Sequence, residues 1–547
     1  MQQLSSQASE SWLSWFLKGL LVVVMTIIVG RLAELQIIKG AYYRDLAENN
    51  RIRRIPVVAP RGKILARGGE TLVGNKESKY EIVFSPSEGY TKREPTSESV
   101  DVFSQWSREY LLGKTFSHIG GYLSEVDETE VGKVDPECEE KGARKLGSTI
   151  GRGGLESMYD CTLRGVDGEE LVEVDTRGNK VRTIGTHDPI AGEDLHTTID
   201  FGLQNAVTKA LDGITGAVVV SDGMGQILAL QSSPAFDPTD IAPALTDTKL
   251  PLFNRAIGGV YHPGSIYKQL IAVAALEDKT IDRSFRYEDT GVISVNEFSY
   301  TNWYFTQYGG REGLIDLPRA LARSTDTFFY KLGEMEGIDR IVHWSKLFGL
   351  GEKTGIDLPG EVGGLLPSPE WKKAMKGESW FLGNTYHLSI GQGDLTVTPL
   401  AANQMTSVVA SRGQLCTPYV VQTDKTHCKK VPIAREHFEY VIEGMKAACS
   451  NGGTAFPFFD FEIDGKPEMV ACKTGTAETF DDNLTHAWFT IFAPIENPEI
   501  VLTVLVENGG EGSKVAAPIA RKILDYWFYE RVGKPSKHAV STPSPKP

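Results

Sequence analysis

Three short runs in this 547-residue chain carry side chains able to perform acyl transfer: Ser265-Ile-Tyr-Lys268, Ser324-Thr-Asp326 and Lys473-Thr-Gly-Thr476. Before the first run, Pro263 and Gly264 are turn residues; after it comes the apolar stretch Ile271-Ala-Val-Ala-Ala-Leu276. This order predicts Ser265 in the first turn of a helix, where unpaired backbone N–H groups and the positive dipole end favour developing negative charge. Lys268, three residues on, shares that helix face. An alcohol is a weak nucleophile until a base takes its proton, and a desolvated lysine beside another cation is neutral enough to take it. Alone, the pair is unspecific, because a surface serine and lysine have the same spelling.

The second run precedes Thr327-Phe-Phe-Tyr330, so Ser324 and Asp326 can face a pocket from a loop between helices, or simply cap a helix. In the third, Met469-Val-Ala-Cys472 is strand-like and puts Lys473 at the end of an edge strand. Gly475, lacking a side chain, would let a substrate backbone approach that edge. Lys473 offers a positive charge, and Thr474 and Thr476 offer hydroxyl donors, for a carboxylate. Lys353-Thr-Gly355 repeats the spelling inside a Gly/Pro-rich loop with no strand before it, which reads as structural.

The elements that must position these runs follow from periodicity. Ala217 to Val220 and Ile227 to Leu230 are apolar runs around a Ser-Asp-Gly turn, the pattern of a hairpin. Helices are expected over Leu317 to Leu332, Pro399 to Ser411 and Ala517 to Phe528, and strands over Ala487 to Phe492 and Ile500 to Val506. Two strands, many helices, then more strands predict an α+β fold, one sheet with helices on its faces closed by distant parts of the chain.

Upstream of this body the chain changes character. Trp12 to Gly30 is apolar apart from Lys18; its uninterrupted part, Gly19 to Gly30, is short for a span, so Lys18 must snorkel to the headgroups, and the segment reads as an uncleaved signal-anchor in preference to a cleaved signal peptide. Arg31 to Arg54 reads as a helix or extended stalk, and Ile55 to Leu195 as a small Gly- and charge-rich accessory domain. The last residues are rich in Pro, Ser and Lys, a disordered composition. The net charge of −14 argues against a nucleic-acid partner. For the six cysteines, spacing leaves two readings open: a Cys416–Cys428 disulfide closing a hairpin, or buried free thiols. Cys472, beside Lys473, reads as space-filling.

In this order, S-x-x-K, S-x-D and a strand-borne K-T-G resemble the signature of penicillin-recognising serine enzymes. Ala59-Pro-Arg-Gly-Lys-Ile64, Gly154-Leu-Glu156 and Leu163-Arg-Gly165 resemble the pedestal boxes of class B penicillin-binding proteins. Thr198-Ile-Asp200, Asn254-Arg-Ala256 and Ser389-Ile-Gly-Gln-Gly393 resemble the transpeptidase domain, and Ser324 to Tyr330 with His486-Ala-Trp-Phe489 resembles the elongation-type, penicillin-binding protein 2-like branch. The position before Arg67, usually Asp in the family, is Ala66.

The resemblance implies a cytoplasmic tail over residues 1–11, an anchor over 12–30, a stalk and β-rich pedestal over 31–194, a transpeptidase domain with a mainly antiparallel sheet over 195–532, and a tail over 533–547. It implies a DD-transpeptidase without cofactor, with Ser265, Lys268, Ser324 and Asp326 catalytic and Lys473, Thr474, Gly475 and Thr476 binding substrate. Some elongation-type members bind a metal between the first two motifs, but no His or Cys lies between Lys268 and Ser324, so no metal is expected here. Its partners would be peptidoglycan stem peptides, β-lactams, the membrane, and a SEDS-family glycosyltransferase within the elongation or division machinery. Its body would lie on the periplasmic side of the inner membrane. A catalytically silent β-lactam-binding scaffold or sensor keeps the same fold without turnover, and a β-lactamase hydrolyses the same kind of acyl-enzyme.

Overall fold

The computed structural model describes residues 12–85, 89–96, 103–175, 180–479 and 484–534. The expected first tail, residues 1–11, and residues 535–547 of the last one lie outside the described residues. Two compact units divide the chain: Met1–Pro60, Lys76–Ser107 and Gly165–Ala191 form one, and Arg61–Asn75, Arg108–Arg164 and Gly192–Pro547 the other.

In the first unit the apolar segment is a helix, Trp12–Ala33, none of whose residues is buried. An exposed apolar surface of that extent has no favourable place in water, which is what a membrane anchor requires. The stalk divides in three: a single wide turn, Glu34–Ile38, the helix Gly40–Arg51 and the strand Ile52–Val57. That strand joins Gly168–Val174 and Lys180–His187 in an antiparallel sheet, with Gly168–Val174 in the middle. Arg182 and Arg51 both reach Glu173 across it.

The second unit is built on a five-stranded antiparallel sheet. Its order is Ile227–Ser233, Gly216–Ser221, Ile500–Val506, Thr485–Ala493 and Ala471–Glu478, so the expected hairpin lies at one edge and the Lys473 strand at the other. All seven residues of Ile500–Val506 are buried, which explains a continuous apolar run where a half-exposed strand would alternate. Leu502 and Val504 pack with Val207, Ile519, Ile523 and Trp527 from the helices Phe201–Ala210 and Ala516–Phe528. Val501 and Leu505 belong to the opposite core, with Ile271, Val408 and Met445 from Lys268–Glu277, Pro399–Ala410 and Arg435–Ala448. Pro399 starts its helix behind Thr398, whose hydroxyl accepts the Ala401 N–H at 3.1 Å. The fold is thus α+β, helices on both faces of one sheet.

Two expectations change. The helix expected over Leu317 to Leu332 is two helices, Leu317–Arg323 and Asp326–Glu336, broken at Ser324 and Thr325. The six cysteines are all paired, as Cys138–Cys161, Cys416–Cys428 and Cys449–Cys472. Cys472 is therefore no filler; it ties the Lys473 strand to the end of the helix Arg435–Ala448.

The pedestal-type boxes also meet in this unit. Glu156, fully buried, lies between Arg61 at 2.9 Å and Arg108 at 2.6 Å, and Arg61 also reaches Asp160 at 2.8 Å. Burial alone would lower the Arg61 pKa, but the two carboxylates hold it above its ordinary value. Ala66 is buried in the apolar cluster with Ile64 and Leu72, so the departure from the usual acid leaves packing rather than a gap.

Candidate active site

Ser265 sits in a tight turn, Gly264–Tyr267, immediately before the helix Lys268–Glu277. In a 3-10 turn residues i and i+3 eclipse, so Ser265 and Lys268 are on one side of the backbone. The turn is pinned from outside. The Trp488 indole N–H donates to the His262 carbonyl at 2.9 Å, and the Gly264 N–H donates to the Gly391 carbonyl at 2.8 Å. A Cβ on Gly391 would stand 2.2 Å from the Gly264 carbonyl oxygen, so the Ser389-Ile-Gly run is needed for contact with the nucleophile turn.

Lys268 is fully buried. Its Nζ donates to the Ser324 carbonyl at 2.9 Å, the Ser324 hydroxyl at 3.3 Å and Asp326 Oδ1 at 2.6 Å. Burial pushes its pKa below the ordinary lysine value, and the adjacent Asp326 carboxylate opposes that shift without cancelling it. Ser324 holds the break between two helices, with φ 54° and ψ 39°, a left-handed conformation uncommon for a residue with a side chain. This bend aims both its hydroxyl and its carbonyl at Lys268. Asp326 opens the next helix and accepts the Trp303 N–H on Oδ2 at 3.0 Å.

Lys473, also fully buried, donates from Nζ to the Ser324 hydroxyl at 2.8 Å and to the Thr474 carbonyl at 3.0 Å. Burial and then the nearby Lys268 hold its pKa well below the ordinary value, with Asp326 opposing. The Ser324 hydroxyl is therefore shared by two lysines. Thr474 meets the hydroxyl of Thr454 at 2.8 Å. Gly475 also makes room within the protein: a Cβ there would lie 2.9 Å from Trp488 Cβ and 3.1 Å from Ile266 Cγ2. Its missing side chain admits the nucleophile turn against the strand.

A cleft of about 1170 Å³ brings the predicted residues together: Ser265, Ser324, Asp326, Thr474 and Thr476 all line it. Lys268 and Lys473 stand behind this lining, reaching it through Ser324. Gly475, between Thr474 and Thr476, does not line it. Residues outside the expected set also line it, among them Thr454, Tyr300, Trp303, His387 and Glu478. Thr454 follows a Gly-Gly pair, an ordinary turn spelling, and nothing in its sequence points to Thr474. The second K-T-G is elsewhere: Thr354 and Gly355 donate their N–H groups to Glu361 in a loop.

Comparison with known proteins points to one family. The family profile described as penicillin binding protein transpeptidase domain matches residues 215–525, and the one described as penicillin-binding protein dimerisation domain matches 90–197. The chain is 33% identical over 477 residues to peptidoglycan D,D-transpeptidase MrdA of Haemophilus influenzae, covering 81% of this chain and 72% of that one. Among solved structures, Pseudomonas aeruginosa PBP2, in complex with WCK 5153, is similar with a TM-score of 0.71 at 30% identity, over 89% of this chain and 99% of that one. Another, described as a peptidoglycan synthase complex coordinating polymerization and crosslinking, gives a TM-score of 0.75 at 26% identity, over 94% and 97%.

Proposed function

The chain belongs to the penicillin-binding protein transpeptidase family, in its elongation-type class B branch, and we propose that it cross-links peptidoglycan through an acyl-enzyme on Ser265. The observation that carries the residue roles is the Ser324 hydroxyl held between two buried lysines on the cleft that Ser265 lines. A neutral Lys268 has two N–H bonds, enough for Asp326 and the Ser324 carbonyl, and a lone pair to turn toward Ser265. Ser265 Oγ then attacks the carbonyl carbon of the penultimate D-Ala of a stem pentapeptide, and its proton passes to Lys268. The bond to the terminal D-Ala breaks, and Ser324 relays a proton to the departing amine. The backbone N–H groups of Ser265 and Thr476 face the oxyanion; losing one such donor costs about 3 kcal/mol in comparable sites. Lys473, Thr474 and Thr476 hold the terminal carboxylate, and the free edge of Ala471–Glu478 pairs with the peptide backbone. An amine from a neighbouring stem peptide finally attacks the ester carbonyl, forming the cross-link and freeing Ser265.

We assign residues 12–30 to the anchor, 31–194 to the pedestal and 195–532 to the transpeptidase domain, with the body on the periplasmic side of the inner membrane. The exposed apolar helix and three disulfides support that placement. The likeness to a chain from a peptidoglycan synthase complex supports a SEDS-family glycosyltransferase of the elongation machinery as partner.

Labelling of the detergent-solubilised protein with a fluorescent penicillin tests the reading. Wild type should carry a stable adduct on the peptide containing Ser265, and Ser265→Ala and Lys268→Ala should carry none. An adduct on another residue, or full labelling of Lys268→Ala, would sink it. Nitrocefin turnover without adduct would make the protein a β-lactamase.

A further inference from the structure

Between the first two motifs the structure buries a carboxylate for which the reaction above has no use. Asp289, the last residue of the strand Tyr287–Asp289, is 1% exposed. Four donors from four separate segments fill its acceptor positions. Oδ1 accepts the Gly291 N–H at 2.9 Å and the Thr327 hydroxyl at 2.6 Å. Oδ2 accepts the Asn302 amide at 3.2 Å and the Glu312 N–H at 2.8 Å. A carboxylate is kept in such a place only if its lone pairs are met, and here they are.

Asn302, fully buried, faces two ways. Its amide nitrogen must point at Asp289, which can only accept, and this turns its carbonyl toward the Asp326 N–H, 3.3 Å away. The next residue, Trp303, gives its own N–H to Asp326 Oδ2 at 3.0 Å, leaving Oδ1 for Lys268 at 2.6 Å. Thr327, bound to Asp289, directly follows Asp326 in the chain. Asp326 is thus held at its backbone and at one carboxylate oxygen by groups that Asp289 fixes in turn.

We infer that Asp289 and Asn302 are positioning residues of the acylation step, setting the one Asp326 oxygen that faces the Lys268 amine. The inference rests on the roles given above to Lys268 and Asp326. Without the pair, Asp326 is free to rotate toward the cleft that it lines, and the base loses its fixed acceptor.

The test measures acylation of the full-length protein by a fluorescent penicillin, separating the first-order acylation rate constant from the binding constant, from neutral to alkaline pH. The variants are Asp326→Asn, Asn302→Ala, Asp289→Asn, Thr327→Val and Thr327→Ser, each with its melting temperature. Asn302→Ala should lower the rate constant about ten- to hundredfold while binding changes less than about twofold. The charged groups facing Lys268 are Asp326, which favours its protonated form, and Lys473, which disfavours it. Displacing Asp326 should therefore move the rising limb of the rate profile to lower pH, in Asn302→Ala as in Asp326→Asn. Thr327→Ser should restore most of the rate lost in Thr327→Val. Should Asp289→Asn fail to fold, Asn302→Ala and the Thr327 pair still decide. Wild-type rates in Asn302→Ala beside an impaired Asp326→Asn, or a slowed Asn302→Ala with an unmoved limb, overturn the inference. A wild-type Asp326→Asn overturns instead the role given to Asp326.

Discussion

Lys473 combines full burial, a lysine neighbour and a hydrogen bond to a serine hydroxyl, and these make opposite demands on stability and reactivity. Its folded pKa lies well below that of an unfolded lysine, so between the two values the unfolded chain binds the extra proton. Stability from this group is therefore complete above the unfolded pKa and is lost as pH falls toward the folded one. Lys268 is shifted the same way and adds to the trend. Lys473→Met keeps most of the volume without the titrating amine. Melting curves should show its Tm rising relative to wild type as pH falls from alkaline toward neutral, while penicillin labelling is abolished. A difference that stays flat with pH would mean that Lys473 carries no such burden. At Ser324 the backbone is the cost. Glycine tolerates a left-handed conformation that disfavours alanine by about 1 kcal/mol. Ser324→Gly should thus melt above Ser324→Ala, with both defective in acylation because both lack the hydroxyl. Equal melting temperatures would show that the bend is no burden.

At the scale of elements, what was legible in the sequence was whatever a short segment decides alone. Pro263-Gly264 before an apolar run places Ser265 at a helix start, and Met469 to Cys472 marks the strand before Lys473. Ile500 to Val506 reads as a strand and is one. The break at Ser324 was legible only in part: Ser324-Thr-Asp326 has the spelling of a loop or cap, but Leu317 to Leu332 stays periodic, and the bonds from Lys268 to the Ser324 carbonyl and hydroxyl that the bend makes could not be read. Gly475 was legible as a close approach, but the approach of the Ile266 turn to it was not. Asp289 was hidden altogether, because its farther partners lie 13 to 38 positions away and no local pattern foretells them. Glu156 stands in a box that the resemblance picked out, but its ion partners Arg61 and Arg108 come from other segments, and the contact itself could not be read. Glu156→Ala leaves two buried guanidinium groups without that acid, and should destabilise the unit by about 3–5 kcal/mol. Thermal unfolding would read this directly, and a Tm within a degree or so of wild type would refute it.

The whole molecule shows one regularity of covalent topology. The three cross-links join residues 138 to 161, 416 to 428 and 449 to 472, so each cysteine bonds to an immediate neighbour in cysteine order. No loop encloses or crosses another. Six cysteines allow fifteen complete pairings, and this is the one a machine would make by joining every thiol to the next to appear. On the membrane placement proposed above, a chain emerging in sequence order would meet each native partner as the next thiol to appear.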